Sequence, residues 1–137
     1  MPLKKIYIYS FLFLSYMAFG MTEANGQTSK TSSGLPVISD SSFQKSVKDN
    51  PVMLADFYET YCGACRMQAL IIDSISDDQK GKVKVIKVDV DKNKDLTSKM
   101  QISSFPTILL FKNGKQVWRS EGIMPRSYIM EAIKNQN

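Results

Sequence analysis

The chain has two cysteines, Cys62 and Cys65, set two residues apart in Cys62-Gly63-Ala64-Cys65. Before them runs Pro51-Val52-Met53-Leu54-Ala55-Asp56-Phe57-Tyr58, apolar and β-compatible except for one carboxylate. After them comes Arg66-Met67-Gln68-Ala69-Leu70-Ile71-Ile72-Asp73-Ser74-Ile75, in which Met67, Leu70, Ile71, Ser74 and Ile75 suggest one helical face, broken only at Ser74. A C-x-x-C at a strand-to-helix junction inside an α/β pattern reads as a redox dithiol. The helix start is what such chemistry needs, because unpaired N–H groups and the positive end of the macrodipole stabilise a thiolate. Two cysteines are too few for a disulfide scaffold in 137 residues, so a catalytic pair is expected.

A chain of this length, 43% hydrophobic and 10% aromatic, has room for one domain with one core. The formal charge is +5, but Lys80, Lys82, Lys84, Lys87, Lys92, Lys94 and Lys99 are dispersed among aspartates. That is a solvated mixed-charge surface, not the clustered footprint of a nucleic-acid binder, and no nucleic-acid partner is expected.

Residues 1–26 read as a targeting segment. Lys4 and Lys5 form a basic start, Ile6 to Met21 is uncharged and mostly apolar, and Ala24-Asn25-Gly26 offers small residues at the two positions a signal peptidase reads. The apolar run is shorter than the ~20 residues of a spanning helix. A cleaved signal peptide, with Gln27 as the new N-terminus, is therefore expected, and an uncleaved membrane anchor is the alternative. Export places the protein outside the cytosol, in a bacterial periplasm. Residues 27–34 are a polar Ser/Thr-rich linker, and residues 35–137 form the folded domain.

Within that domain Leu35 to Ile38 can make a short first strand. Ser39 or Asp40 can cap a helix to about Lys48 with Phe43 and Val47 inward. The strand before the cysteines and the helix after them follow, the helix stopping near Gly81. Lys82 to Val90 reads as a buried parallel strand containing Lys87, and 95–100 as a short helix. Phe105 to Phe111 is a strand, Lys112-Asn113-Gly114-Lys115 a hairpin turn, and 116–120 its partner strand. Pro125 can open a last helix with Tyr128, Ile129, Ala132 and Ile133 on one face. The order β-α-β-α-β-α-β-β-α predicts a three-layer α/β sandwich whose mixed sheet ends in an antiparallel hairpin.

Four separated stretches carry a resemblance. Asp56-Phe57-Tyr58-Glu59-Thr60-Tyr61-Cys62-Gly63-Ala64-Cys65-Arg66-Met67 is similar to the active-site segment of the thioredoxin family, and 83–93 to its central strand. Phe105-Pro106-Thr107-Ile108-Leu109-Leu110-Phe111-Lys112-Asn113-Gly114 resembles its cis-proline strand and turn, and Glu121-Gly122 stands where the family has a late glycine beside the site. The likeness runs from about residue 37 to the end and implies a thioredoxin fold.

It also implies roles. Cys62 would be the exposed nucleophile that attacks a substrate disulfide, Cys65 the resolving thiol, and the two together a redox-active disulfide needing no other cofactor and no metal. Asp56 would lie beneath the site and exchange the Cys65 proton through water. The residue pattern supports burial, because Leu54 and Asp56 share a face of a regular strand, although a solvent-facing strand end is the plain alternative. Desolvation should raise its pKa toward neutrality, which suits a general base. Lys87 matches the family's partner lysine; a snorkelling strand lysine fits it equally well. Phe105 and Pro106, joined by a cis bond, would leave backbone free to pair with an extended substrate. Gly63, Ala64 and Gly122 would keep the approach open, and Tyr58, Tyr61, Phe105 and Ile123 would frame an apolar rim. Trp118 reads as packing.

Three positions depart from the family. Ala64 replaces the proline between the cysteines, Leu70 a helix-kinking proline, and Ser104 a glycine before the cis-proline loop. They bear on redox potential, helix straightness and loop fit, not on a catalytic group.

The chain has no histidine, so it lacks the C-x-H-C cation of oxidase- and isomerase-type relatives. Reduction is the expected direction: a protein disulfide reductase acting on exported proteins as a monomer, re-reduced by a membrane thiol donor or a reductase relay. An oxidase or isomerase of the same compartment is the first alternative, and a non-catalytic client-binding module the second. Metal binding is weakest, since two thiolates supply half a tetrahedral zinc site unless two chains join.

Overall fold

The computed structural model describes residue 35 and residues 38–136. The expected signal peptide, its cleavage point and the 27–34 linker lie outside the described residues. Eight elements follow in order: α1 (Asp40–Asp49), β1 (Val52–Tyr58), α2 (Gly63–Asp78), β2 (Lys84–Asp89), α3 (Lys94–Lys99), β3 (Thr107–Lys112), β4 (Lys115–Glu121) and α4 (Arg126–Lys134). The sheet order is β2-β1-β3-β4, with β1–β2 parallel and β1–β3 and β3–β4 antiparallel.

β1 and β3 are the inner strands, and apart from their last residues they are buried along their whole length. They read as near-continuous apolar runs because both faces are covered. Alternation then deals their side chains to two cores. Met53, Ala55, Phe57, Leu109 and Phe111 pack on the α1 and α3 side with Phe43 and Leu96. Val52, Leu54, Ile108 and Leu110 pack on the α2 and α4 side with Ile72, Ile75, Ile129 and Ile133. This is the three-layer sandwich expected.

The expected fifth strand is absent among the described residues: Leu35 and Ile38 belong to no strand. Each instead gives a side chain to one of the two cores. Ser39 is the N-cap of α1, but its hydroxyl bonds to Ser41 and Ser42 and not to a backbone N–H. The Asn113-Gly114 turn matches its sequence signal. Both residues have positive φ, 49° and 83°, the left-handed pair that a two-residue hairpin with the right twist requires. A register shift opposite Leu110 and Phe111 leaves Val117 as the extra residue of a bulge.

The α2 face differs from its sequence expectation. Cys65, Gln68, Ile72 and Ile75 are buried, an i, i+3, i+7, i+10 stripe, while Met67 is 61% exposed and Leu70 73%. The helix is rotated so that Cys65 points at the sheet, and that rotation carries Met67 and Leu70 out to solvent. Tyr128 of α4 is likewise exposed, whereas Ile129, Ala132 and Ile133 are buried. Pro125 precedes α4 as its N-cap and is not its first residue.

This assignment of faces makes a stability prediction. Phe43 is fully buried and meets Phe57 and Phe111 edge-on, at 5.9 Å and 5.6 Å between ring centroids. Phe43→Ala is expected to cost about 3–5 kcal/mol in urea denaturation, and Leu70→Ala less than about 0.5 kcal/mol. Comparable losses in the two variants would reverse the assigned α2 face.

Candidate active site

β1 ends at Tyr58, three residues lead out of the sheet, and Cys62 caps the start of α2 with extended backbone (φ −104°, ψ 114°). Its Sγ accepts the backbone N–H of Cys65 at 3.0 Å. The two sulfurs form a disulfide with the Cα atoms 5.2 Å apart, a spacing well inside the range disulfides favour. Cys62 is half-buried and Cys65 is 3% exposed, so an incoming group meets Cys62 first. A thiolate formed at Cys62 on reduction would sit against the unpaired N–H groups of the helix start.

Two loops close the site. The Phe105–Pro106 peptide is cis, and the Phe105 carbonyl oxygen lies 4.0 Å from Cys62 Sγ. Gly122 donates its N–H to the Pro106 carbonyl at 2.8 Å, with φ +79°, a conformation that favours glycine. Ser104 donates its hydroxyl to Glu121 at 2.8 Å, and Glu121 pairs with Arg119 at 2.7 Å. The serine and then the arginine hold the Glu121 carboxyl below its usual range. Arg119 also donates to the carbonyls of Met100 and Gln101, so the loop before Pro106 is tied to β4 and to the end of α3. On the other side, Met124 donates its N–H to Gln68 Oε1 at 2.7 Å, joining the loop after Gly122 to α2.

The surface beside the disulfide is apolar at its edge. Tyr61 is 96% exposed and Ile123 44%. Phe105 is half-buried and packs against the α1-side core, and Tyr58 is half-buried. A Cβ placed on Gly63 would meet only the Arg66 side chain, at an ordinary 3.7 Å, so the small residue leaves room at Cys62 without relieving a clash. Trp118 is partly buried against the α2-side core, as a packing residue would be.

Beneath the disulfide, Asp56 is 1% exposed and shares the Leu54 face of β1, under α2. Neither of its carboxylate oxygens meets a hydrogen-bond donor among the described residues. Burial pushes its pKa up to about 7; Lys87 works against that shift and Asp73 adds to it. Lys87 is the Cα partner of Asp56 on β2, 4% exposed, and forms an ion pair with Asp73 at 2.7 Å. A groove of about 440 Å³ is lined by Asp56, Cys65, Ala69, Leu70, Asp73 and Lys87, among others. It opens the Asp56 carboxyl and Cys65 onto one space. Burial, then Asp89 and Asp56, push the Tyr58 phenol up at the same groove.

The site residues named from the sequence therefore fall into two groups. Cys62, Gly63, Ala64, Phe105, Pro106, Gly122 and Tyr61 surround the disulfide, while Asp56 and Lys87 lie behind Cys65. Asp73 and Gln68 escaped notice as site residues. Asp73 follows Cys65 at i+8 with Ala69 between, one line along a helix, and that spacing was the available signal. Gln68 is polar and lies off the stripe of Met67, Leu70 and Ile71, and only the turned helix face buries it.

The raised Asp56 pKa fixes a pH dependence. The folded protein holds this proton up to about pH 7, whereas the unfolded chain releases it near 3.8. Over that interval folding takes up a proton, so the contribution of Asp56 to stability falls as pH rises and levels off above about pH 7. Oxidised Asp56→Asn should exceed wild type at about pH 8 by on the order of 2–4 kcal/mol, with the gap closing by about pH 4. Urea denaturation across this range tests it, and equal stabilities at the alkaline end would rule out the desolvation cost.

Comparison with known proteins agrees with the geometry. The family model "Thioredoxin" matches residues 34–135. The chain is 42% identical over 97 residues to a thioredoxin of Rickettsia felis, covering 70% of this chain and 92% of that protein. It is 38% identical over 103 residues to a thioredoxin of Synechocystis sp., covering 74% and 96%. Among solved structures, a mutant thioredoxin from Halobacterium salinarum NRC-1 superposes with a TM-score of 0.68 at 30% identity, covering 73% of this chain and 87% of that one. With its C-x-x-C disulfide at the start of α2, the chain belongs to the thioredoxin family and is a thioredoxin-type disulfide reductase.

Proposed function

We propose that this reductase works in the cell envelope on disulfides of exported proteins and receives its electrons from a membrane thiol donor or a soluble relay. The envelope assignment is supported by the order of residues 1–26, two lysines, an uncharged apolar run and small residues at Ala24 and Gly26. The chemistry rests on one observation. A carboxyl with a pKa of about 7 opens onto the same groove as the resolving cysteine.

In the reduced enzyme, the Cys62 thiolate attacks one sulfur of the substrate disulfide and expels the other as a thiolate, giving a mixed disulfide. Asp56 then takes the Cys65 proton, directly or through water. The Cys65 thiolate attacks Cys62 Sγ, the Cys62–Cys65 disulfide forms, and the second substrate sulfur leaves. Two electrons pass to the substrate, whose sulfurs end as two thiols, one protonated by the proton Asp56 took from Cys65 and the other from solvent, which received the Cys62 proton when that thiol ionised. Tyr61, Gly63 and Ala64 on one side, and Phe105, Pro106 and Gly122 on the other, hold the substrate strand across Cys62. Lys87 tempers the proton affinity of Asp56.

Equilibration of residues 27–137 against glutathione or a reference dithiol is expected to give a potential near ~−270 mV, as in thioredoxin. A value of ~−180 to −120 mV would reverse the direction of electron flow to that of an isomerase or oxidase. Cys65→Ser should accumulate mixed disulfides with envelope proteins and Cys62→Ser none. Partner capture by both variants without a sulfur link would mark a client-binding module. Mass spectrometry of the envelope fraction should find a chain starting at Gln27; one starting at Met1 would mark a membrane anchor.

A further inference from the structure

Asp73 lies on α2 eight residues beyond Cys65, and Ala69 lines the same groove between them. Its Oδ1 is 2.7 Å from the Lys87 Nζ. The Lys87 side chain is 5% exposed and that of Asp73 27%, so the ion pair leads from the buried floor toward solvent. Lys87 is at the same time the ladder partner of Asp56. One ammonium thus acts on carboxylates from two elements, one on the sheet and one on the helix above it. The other titratable or charged groups around the groove are Tyr58 and Glu59 on and after β1, Cys65 and Arg66 on α2, and Asp89 and Lys92 on and after β2.

We propose that Asp73 is a positioning residue for the proton transfer: by holding Lys87 it offsets that cation at Asp56 and keeps Asp56 basic enough to take the Cys65 proton. With both partners present, the fields of Lys87 and Asp73 oppose each other at Asp56. Without the Asp73 charge the field of Lys87 at Asp56 loses that opposition, and the ionised form of Asp56 is favoured. A base that ionises too readily holds the thiol proton less well. Asp73 touches no reacting atom and works through Lys87. The inference rests on the reading of Asp56 as the base.

Two readouts test it in the full chain: titration of the Asp56 carboxyl by carbon NMR in the oxidised protein, and the single-turnover rate at which the reduced protein opens a peptide with one intramolecular disulfide. In Asp73→Asn the Asp56 midpoint should fall by at least about half a pH unit. The acid limb of the rate should move with it, making the variant about two- to threefold faster than wild type near pH 6 but slower on the plateau above about pH 8, where the weaker base limits the rate. Asp73→Glu should return both toward wild type. An Asp73→Asn protein that loses only thermal stability, with midpoint and limb unmoved, gives Asp73 a structural role and overturns the proposal. An Asp56→Asn rate that matches wild type at every pH removes the base itself, and the proposal falls with that reading.

Discussion

Burying a carboxylate with no hydrogen-bond donor costs several kcal/mol when it is charged, and this chain places that cost on a central strand of its sheet. Asp56 sits on β1 with a strand on either side and α2 above, and the groove opens onto it. Most of the surrounding structure bears on this group. β2 brings Lys87 level with it, and α2 brings Cys65 and Asp73 to the same space. The alternative to charge is protonation, and a group that is half protonated near neutrality can both accept and return a proton. The desolvation that weakens the fold at this point is the same property that suits the group to the chemistry.

The disulfide face is built on a different principle. Three separate segments meet there, and backbone polar groups hold them in place: the Phe105 carbonyl near Cys62, the Gly122 N–H on the Pro106 carbonyl, and the Met124 N–H on Gln68. Side chains from outside the site brace the same loops, through Ser104, Glu121 and Arg119. The proposed pairing with extended substrates would gain from a fixed backbone and from an exposed apolar edge such as Tyr61 and Ile123. Ser104, which departs from the family pattern, is part of this bracing, since its hydroxyl ties the loop to β4 with a bond that a glycine would lack.

Much of this is legible in the sequence, and what is not depends on tertiary contacts. Strand β1, the hairpin at Asn113-Gly114 and the start of α2 carried local signals that no tertiary contact overrode: an apolar run, a left-handed turn pair and a C-x-x-C junction. The face of α2 was misread because Met67, Leu70 and Ile71 form as good an apolar stripe as Ile72 and Ile75 do. Periodicity can identify a helix but cannot choose between two stripes when a polar residue such as Gln68 lies in the buried one. The same limit hid Gln68 and Asp73, whose partners come from segments more than ten residues away. Of the short first strand expected at Leu35 to Ile38, the described residues Leu35 and Ile38 are core residues outside any strand, since an apolar pattern alone does not supply a ladder.

The chemistry available to this protein is already set by its order of residues. Two thiols at helix spacing, one carboxylate in an apolar strand and the lack of any histidine leave dithiol exchange as the plain use of these groups, because each of those features is a matter of composition and short-range order. How the groups are tuned is a property of the folded molecule alone. Which cysteine is exposed, how far Asp56 is removed from water, and which carboxylates share Lys87 all depend on the rotation of α2 over the sheet and on the register of β1 against β2. Desolvation and Coulomb forces act over a few ångströms in space with no regard for separation along the chain, so they exist only once the fold has brought these residues together.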